Sequence, residues 1–440
     1  MFRCAFYEKE ITPPLGCHIP GYFNLRAGSD VKDRLYARAF VIENGKDTIA
    51  ILSYDCCGID KSLVKKITDR IEKYTGIPAT NVLISATHTH TGIPRTSGYP
   101  ADAEAMENQA GYHDLFVKLV ADCVTLAHLR LQESTLSFGK GEVDGISFCR
   151  NYHMKNSTPR TNPPRMSPDI VGPAGETDNE LPVLFVKDSA GQPTGAVVCF
   201  ACHPDCVGGT EYSGDYISEL SIQLKKVYGP DFVTVFLQGT SGNVNHFDVS
   251  KLEDEPEHYR KMGRMIAGEL IKTAANATGL EDGSLISKQE LFELKRSEIS
   301  EEKIAEAQHA VDTIKEIPGV KIAADGTDPD QYLLAMSKKL LKFLKDTPET
   351  FLVPLQYIQI GDVKLYAFPG EIFSCFGKMV KEGAETDKCI VATMCGANVG
   401  YVPPRDMFYD TIYESRPGSN LLEREAGYKM AERLLAMGKE

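Results

Sequence analysis

Residues 82–92 read Val82-Leu83-Ile84-Ser85-Ala86-Thr87-His88-Thr89-His90-Thr91-Gly92. An apolar, strand-sized run passes directly into two histidines one residue apart. In an extended chain, residues i and i+2 share a face. Both imidazoles are therefore expected at one spot beyond the strand's carboxyl end, where open α/β sheets bind ligands. Two later stretches repeat the pattern. Val197–Cys202 runs into His203-Pro204, and Leu365–Phe368 runs into Pro369-Gly370-Glu371, a carboxylate expected at the start of a helix. Two or three His with one carboxylate suit a catalytic zinc centre that keeps an open position. Imidazole and carboxylate donors fit zinc better than copper(I) or an iron–sulfur cluster. A lone strand-end His such as His203 is also a common hydrogen-bonded structural residue, and Glu371 alone also suits a helix N-terminus. Spacing does not decide between these readings.

Outward from this stretch, strands and helices alternate. Leu35–Glu43 and Thr48–Tyr54 read as a hairpin around Asn44-Gly45, which supplies the positive φ of a tight turn. Asp60–Tyr74 is helical, with Leu63, Ile67 and Ile71 on one face and Gly76 as its stop. Further helices are expected over Tyr112–Leu131, Ile217–Tyr228 and Glu257–Ala275. Strands are expected over Leu181–Lys187, Ala196–Ala201, Phe232–Leu237, Leu355–Ile360, Val363–Phe368 and Cys389–Met394. Hairpins mixed with strand–helix alternation imply an α/β fold, a mixed β-sheet covered by helices. Ser300–Lys345 is rich in Lys, Glu and Ala. It reads as a helical insertion of two helices joined by the loop Ala323–Pro329, with Lys338, Lys339, Lys342 and Lys345 on a solvated face. No Pro/Gly/Ser linker divides the chain, so residues 1–440 read as one large domain.

The composition narrows the function. Lys plus Arg number 48 against 61 Asp plus Glu, a net charge of −13, which disfavours nucleic acid and anionic lipid as partners. The N-terminus MFRCAFYEKEITPPLG shows no signal peptide, and no apolar run reaches the length of a transmembrane segment. A cytoplasmic location is expected, with the 12 Cys reduced. Cys199-Phe200-Ala201-Cys202 has C-x-x-C spacing, but in a strand its two thiols point to opposite faces.

At this point the motifs agree with a known family. Ala86-Thr87-His88-Thr89-His90-Thr91-Gly92 resembles the T-H-T-H-S-G motif of the neutral (alkaline, non-lysosomal) ceramidases. Glu10–Gly16, Asp33–Arg38, Cys149-Arg150-Asn151, Ala201–Pro204, Pro369–Glu371 and Gly400-Tyr401-Val402 resemble further family segments in the same order. The resemblance covers residues 10 to about 402. It implies the catalytic domain only, with no room for the family's C-terminal immunoglobulin-like domain. It implies zinc held by His88, His203, Glu371 and Tyr401, with His90 and Arg150 beside the metal as polarising or proton-transferring groups. A family loop G-D-x-S-P-N is matched in part by Gln238-Gly239-Thr240-Ser241-Gly242-Asn243, which offers Ser241 and Asn243 as substrate contacts. The missing Asp leaves the serine's surroundings open. Asn245 and His246 are further candidates for the pocket wall.

The expected reaction is zinc-dependent hydrolysis, with metal-activated water attacking an amide (N-acyl) carbonyl of a small-molecule substrate more soluble than ceramide. Arg95, Tyr99, Tyr212, Tyr216 and Arg405 hint at a polar substrate, although each also reads as a surface side chain. His90 is the expected proton donor to the leaving amine. Asp215 is either a partner orienting a ligand His or the N-cap of the helix from Ile217, with the cap favoured. The alternatives are an esterase, lactonase or lyase on a small hydroxylated metabolite, and a metal-free binding protein of the same fold. A homo-oligomer stays open.

Overall fold

The computed structural model describes residues 2–22, 25–95, 103–280, 282–317 and 328–440. Tyr99 and most of the Ala323–Pro329 loop lie outside the described residues. The hairpin forms as Tyr36–Glu43 against Thr48–Tyr54, antiparallel from Ala37↔Tyr54 to Glu43↔Thr48. Its loop is longer than the expected tight turn. Only Gly45 takes a positive φ (+88°), and the Asn44 side chain accepts from the Lys46 and Asp47 amides.

The main sheet has nine strands. Its order is Val233–Gln238, Pro193–Phe200, Glu180–Asp188, Gln132–Glu142, Phe2–Glu10, Tyr36–Glu43, Thr48–Tyr54 and Val82–Ala86, with Thr278–Gly279 added beside Gln132–Glu142. The interior pairs are antiparallel. The two outermost pairs are parallel: Pro193–Phe200 with Val233–Gln238, and Thr48–Tyr54 with Val82–Ala86. A second, four-stranded sheet runs Leu285–Lys295, Thr350–Ile360, Val363–Ala367 and Cys389–Ala392. Side chains of both sheets share one apolar layer that includes Phe40, Ile51, Leu184, Val197, Val235, Ile358 and Leu365.

The second sheet also joins the two edges of the first. Thr393 N donates to Gln238 O at one edge, while Ala86 N donates to Met394 O and Gly396 N to Ile84 O at the other. The segment after Ala392 thus runs between the carboxyl ends of Val82–Ala86 and Val233–Gln238. Those ends, far apart along the sheet order, are brought to one place.

Helices cover the outer faces. Lys61–Thr75 and Ala103–His128 bury Leu63, Ile67, Ile71, Phe116 and Val120. Tyr216–Tyr228 and His258–Asn276 bury Ile217, Leu220, Met262 and Ile266. Ser374–Gly383 and Ala426–Met437 close the second sheet. The insertion forms helices Glu301–Thr313 and Pro329–Asp346. Each is capped by a side chain, Ser300 accepting from Lys303 N and Asp328 from Gln331 N. Cys199, within its strand, and Cys202, two residues past the strand's end, point into different apolar layers. Among the described residues no helix is long and apolar enough to cross a membrane.

Candidate functional site

Three strand ends deliver His88, His203 and Glu371 to one point. Their ligand-capable atoms lie within 4.8 Å of one another. His88 Nε2 and His203 Nε2 are each 3.4 Å from Glu371 Oε2. The ring centroids of His88 lie 4.7 Å from His203 and 5.0 Å from His90. The two histidines after Val82–Ala86 do converge, but not through an extended backbone. The strand ends at Ala86, and His88 takes a left-handed φ of +70°. A non-glycine residue there carries strain of about 1–3 kcal/mol. Two contacts hold it: Thr87 N donates to Tyr54 O, and His88 Nδ1 bonds Cys57 O at 2.6 Å.

Glu371 is not in a helix. Glu371–Ile372 pairs in parallel with Tyr401–Val402, placing Glu371 directly opposite Tyr401. Gly370 permits this contact. It has φ +76°, and a Cβ there would meet Gly400 O at 2.7 Å.

The donor set fits a divalent cation. Both histidines of this donor set have Nδ1 tied to a backbone carbonyl, Cys57 O for His88 and Val244 O for His203 (2.8 Å), so Nε2 of each faces the cluster. His88 Nε2 and Glu371 Oε2 are buried without a hydrogen-bond partner. Orphaned buried atoms of this kind are costly unless something binds them. Burial and the Arg150 charge hold His203 down at about 4. Burial and the neighbouring His88 hold His90 well below the usual histidine range. Burial would pull His88 down as well, but the Glu371 carboxylate outweighs it and His88 is raised. Glu371 is correspondingly lowered, its attraction to His88 exceeding its own desolvation.

Arg150 lies against this cluster. Its Nη1 is 3.5 Å from His203 Nε2, and its guanidinium sits 5.0 Å over the Tyr401 ring. Its Nη2 is buried and has no partner. Burial works against the Arg150 charge, but the Glu414 and Glu371 carboxylates outweigh it and keep Arg150 charged. Burial raises the Tyr401 hydroxyl well above the usual tyrosine range. Both ring nitrogens of His90 lack a hydrogen-bond partner, although Nδ1 approaches Asp205 Oδ1 to 3.4 Å. Tyr22 donates to the same carboxylate and packs 5.7 Å from the His90 ring.

His88, His90, Arg150, Glu371 and Tyr401 open onto a cavity of about 1400 Å³. Ser241, Asn243, Asn245 and His246 are not in its lining. Ser241 Oγ accepts from Gln238 Nε2 at 2.6 Å. Asn243 Oδ1 accepts from Ser374 N at 2.8 Å, and Asn245 Nδ2 donates to Asn162 at 3.0 Å. These side chains pin the loop that carries Val244 O to His203. His246 is half-buried beside it, with Nδ1 unpartnered. Asp215 is the helix cap, accepting from Tyr216 N at 2.6 Å and Val207 N at 2.7 Å, and it touches no ligand His. Tyr212 and Tyr216 are fully buried, Arg405 pairs with Glu425 at the surface, and Arg95 alone of that group lines the cavity. Lys339 faces the cavity instead of solvent.

Sequence reading missed Glu414, which is fully buried. It accepts from Arg150 Nε at 2.5 Å, Thr161 Oγ1 at 2.6 Å and Asn151 Nδ2 at 3.1 Å. It lies in a loop-rich segment 264 residues from Arg150, and no local pattern marks it. Asp205, two residues after His203, was the more accessible omission.

A sequence model of the neutral/alkaline non-lysosomal ceramidases, N-terminal part, matches residues 8–250. A neutral ceramidase of Pseudomonas aeruginosa is 28% identical over 251 residues, 51% of this chain and 34% of that protein. Neutral ceramidase B of Dictyostelium discoideum is 25% identical over 246 residues, 52% of this chain and 33% of that protein. The aligned stretch thus spans about a third of these relatives' length. The crystal structure of the Pseudomonas aeruginosa neutral ceramidase superposes with a TM-score of 0.72 at 20% identity. It covers 99% of this chain and 74% of that one, and so shares the fold. Glu371 and Tyr401 fall outside the matched residues 8–250.

Proposed function

The chain belongs to the neutral/alkaline non-lysosomal ceramidase family, and from that premise we propose that it hydrolyses the amide bond of an N-acyl substrate beside the His88–His203–Glu371 cluster, with zinc as the ion held there. One observation carries this reading: three buried ligand atoms converge on a cavity wall with His88 Nε2 and Glu371 Oε2 unpartnered. His88, His203 and Glu371 would hold the ion, with Tyr401 beside Glu371 as a fourth donor. Zinc in such a donor set supplies Lewis acidity and a water acidified toward neutral pH.

The remaining work falls to the chain's own residues. Arg150 Nη2 is fixed by the bond from Nε to Glu414 and is free to donate to the carbonyl oxygen as negative charge develops there. His90 is neutral at pH 7, so it accepts a proton from the attacking water and passes it to the departing nitrogen. The carbon–nitrogen bond breaks, the carbonyl carbon gains the water's oxygen, and the amine leaves carrying the proton. Asp205 steadies the imidazolium formed between the two transfers.

The test is elemental analysis and amide-hydrolysis kinetics on three variants. His88→Ala and His203→Ala should lose zinc and activity together. His90→Ala should keep zinc and lose rate by about 10²–10⁴-fold, the usual contribution of a general acid–base. Protein that neither contains nor takes up zinc refutes the reading. If His90→Ala loses the metal while His88→Ala keeps it, the two roles are exchanged.

A further inference from the structure

The cavity above the cluster differs in charge from the chain that forms it. Acidic residues outnumber basic ones, 61 to 48, over the whole chain. In the cavity lining the balance reverses: Arg95, Arg150, Lys155, Arg160, Lys339 and Arg416 face Asp169, Asp205 and Glu371. Of the acids near the cluster, Glu371 belongs to the proposed ion site itself, and Asp205 accepts from Tyr22 and lies 3.4 Å from His90. Of the cations, Arg150 is matched by Glu414. Among the described residues no carboxylate lies within ion-pair distance of Arg95, Arg160 or Arg416.

Arg416 is held by neutral groups that orient it and leave its charge uncancelled. Nε donates to Asp410 O at 2.9 Å, Nη1 donates to the Tyr332 hydroxyl at 2.6 Å, and the guanidinium lies 5.0 Å over the Tyr332 ring. Arg160 lies on the same wall, because Thr411 Oγ1 donates to Pro159 O and Thr161 N to Thr411 O. This wall stands off from the cluster by two aromatic rings. Tyr401 packs edge-on against Tyr413 at 5.6 Å, and Lys339 Nζ lies 5.4 Å over Tyr413. A guanidinium oriented as Arg416's is, with that of Arg160 lining the same concave space, focuses positive potential and suits planar or tetrahedral oxyanions.

We propose that the substrate carries an anionic oxyacid group (sulfonate, phosphate or carboxylate) away from its scissile amide, and that Arg160 and Arg416 bind this group while the amide reaches the cluster. The proposal rests on the amide-hydrolase reading for its chemistry, but the anion site is defined by the cavity wall alone. An uncharged two-chain lipid leaves both guanidinium groups unmatched, whereas an acidic N-acyl compound pairs them.

The experiment compares N-octanoyltaurine with N-octanoylethanolamine, which replace sulfonate by hydroxyl on one scaffold. Sulfonate is chosen because it is a poor zinc ligand. With the zinc-loaded full chain, kcat/KM should be at least tenfold higher for the sulfonate, the gain residing in KM and fading as salt is raised. Arg416→Gln and Arg160→Gln should each lower the sulfonate-to-hydroxyl ratio severalfold through KM. Arg416→Lys, which keeps the charge, should recover part of it. A ratio near one, or a ratio unmoved by either Gln variant, overturns the proposal. Calorimetric binding of the same two compounds separates this from the reaction. Arg-dependent preference for the sulfonate without turnover sustains the anion site and refutes amide hydrolysis, while equal binding of the two compounds overturns the anion site even if both are hydrolysed.

Discussion

Glu414→Gln is the sharpest test of how the site is held. Glu414 takes three hydrogen bonds in full burial, one of them from the Arg150 cation. A bond to a charged group contributes about 1.5–3 kcal/mol and a neutral one about 1 kcal/mol. Gln keeps a single carbonyl oxygen and turns an NH₂ toward at least one of these donors. It also removes the counter-charge that Arg150 needs in a buried place, a change that costs about 3–5 kcal/mol when one partner of such a pair is deleted. Unfolding entropy of about 2.1 cal/mol/K per residue gives about 0.9 kcal/mol/K for this 440-residue chain, so Tm should fall by ~3–5 °C. Scanning calorimetry of Glu414→Gln, Arg150→Met and the double variant measures the coupling. The two single losses should exceed the double loss, since each variant breaks the same contact. Zinc content should stay unchanged, because Glu414 touches no ligand, while kcat falls as Arg150 loses its fixed orientation. A Tm change below 1 °C, or strictly additive losses, would show that Glu414 is not what holds Arg150.

Three further outcomes are expected. Zinc affinity should weaken as pH falls, because His88 is raised by Glu371 and its proton competes with the metal; competition with a chromogenic chelator across pH 6–8 checks this, and a flat profile refutes it. Gly21→Ala should lower kcat with zinc retained. Gly21 has φ +112°, and a Cβ there would sit 3.0 Å from His90 Cγ, so the His90 ring must shift and the backbone takes on about 1–3 kcal/mol of strain. Asp215 is raised from 3.8 to about 7 by burial, against hydrogen bonds from Val207 N and Tyr216 N. The folded state therefore holds the proton more tightly than the unfolded one. The associated stability is complete below pH 3.8 and lost as pH rises toward 7. Tm of the wild type should fall over that interval relative to Asp215→Asn, whatever the variant's absolute Tm, and parallel curves would refute the assignment.

What the sequence determined by itself was local. Apolar strands that stop abruptly at a His or Glu are legible because strand patterning has a short period and an end. His88, His90, His203 and Glu371 were therefore found from the residues themselves, and Asp215 could be read as a helix cap. Motif order added Arg150 and Tyr401, which no periodicity marks. The left-handed turn at His88 was invisible because it depends on Tyr54 and Cys57, not on the residues beside it. The Glu371–Tyr401 ladder is two residues long and carries no hydrophobic period. Ser241 and Asn243 looked like substrate contacts because loop composition does not tell which way a polar side chain turns; their hydrogen bonds face Gln238 and Ser374. Only the tertiary structure placed Glu414 under Arg150 and gathered Arg160 and Arg416 on one wall. These are long-range pairings of single polar residues, made where the loops that follow Cys149 meet the loops that follow Tyr401. A charge on a loop has no preferred partner until the fold decides which loops meet.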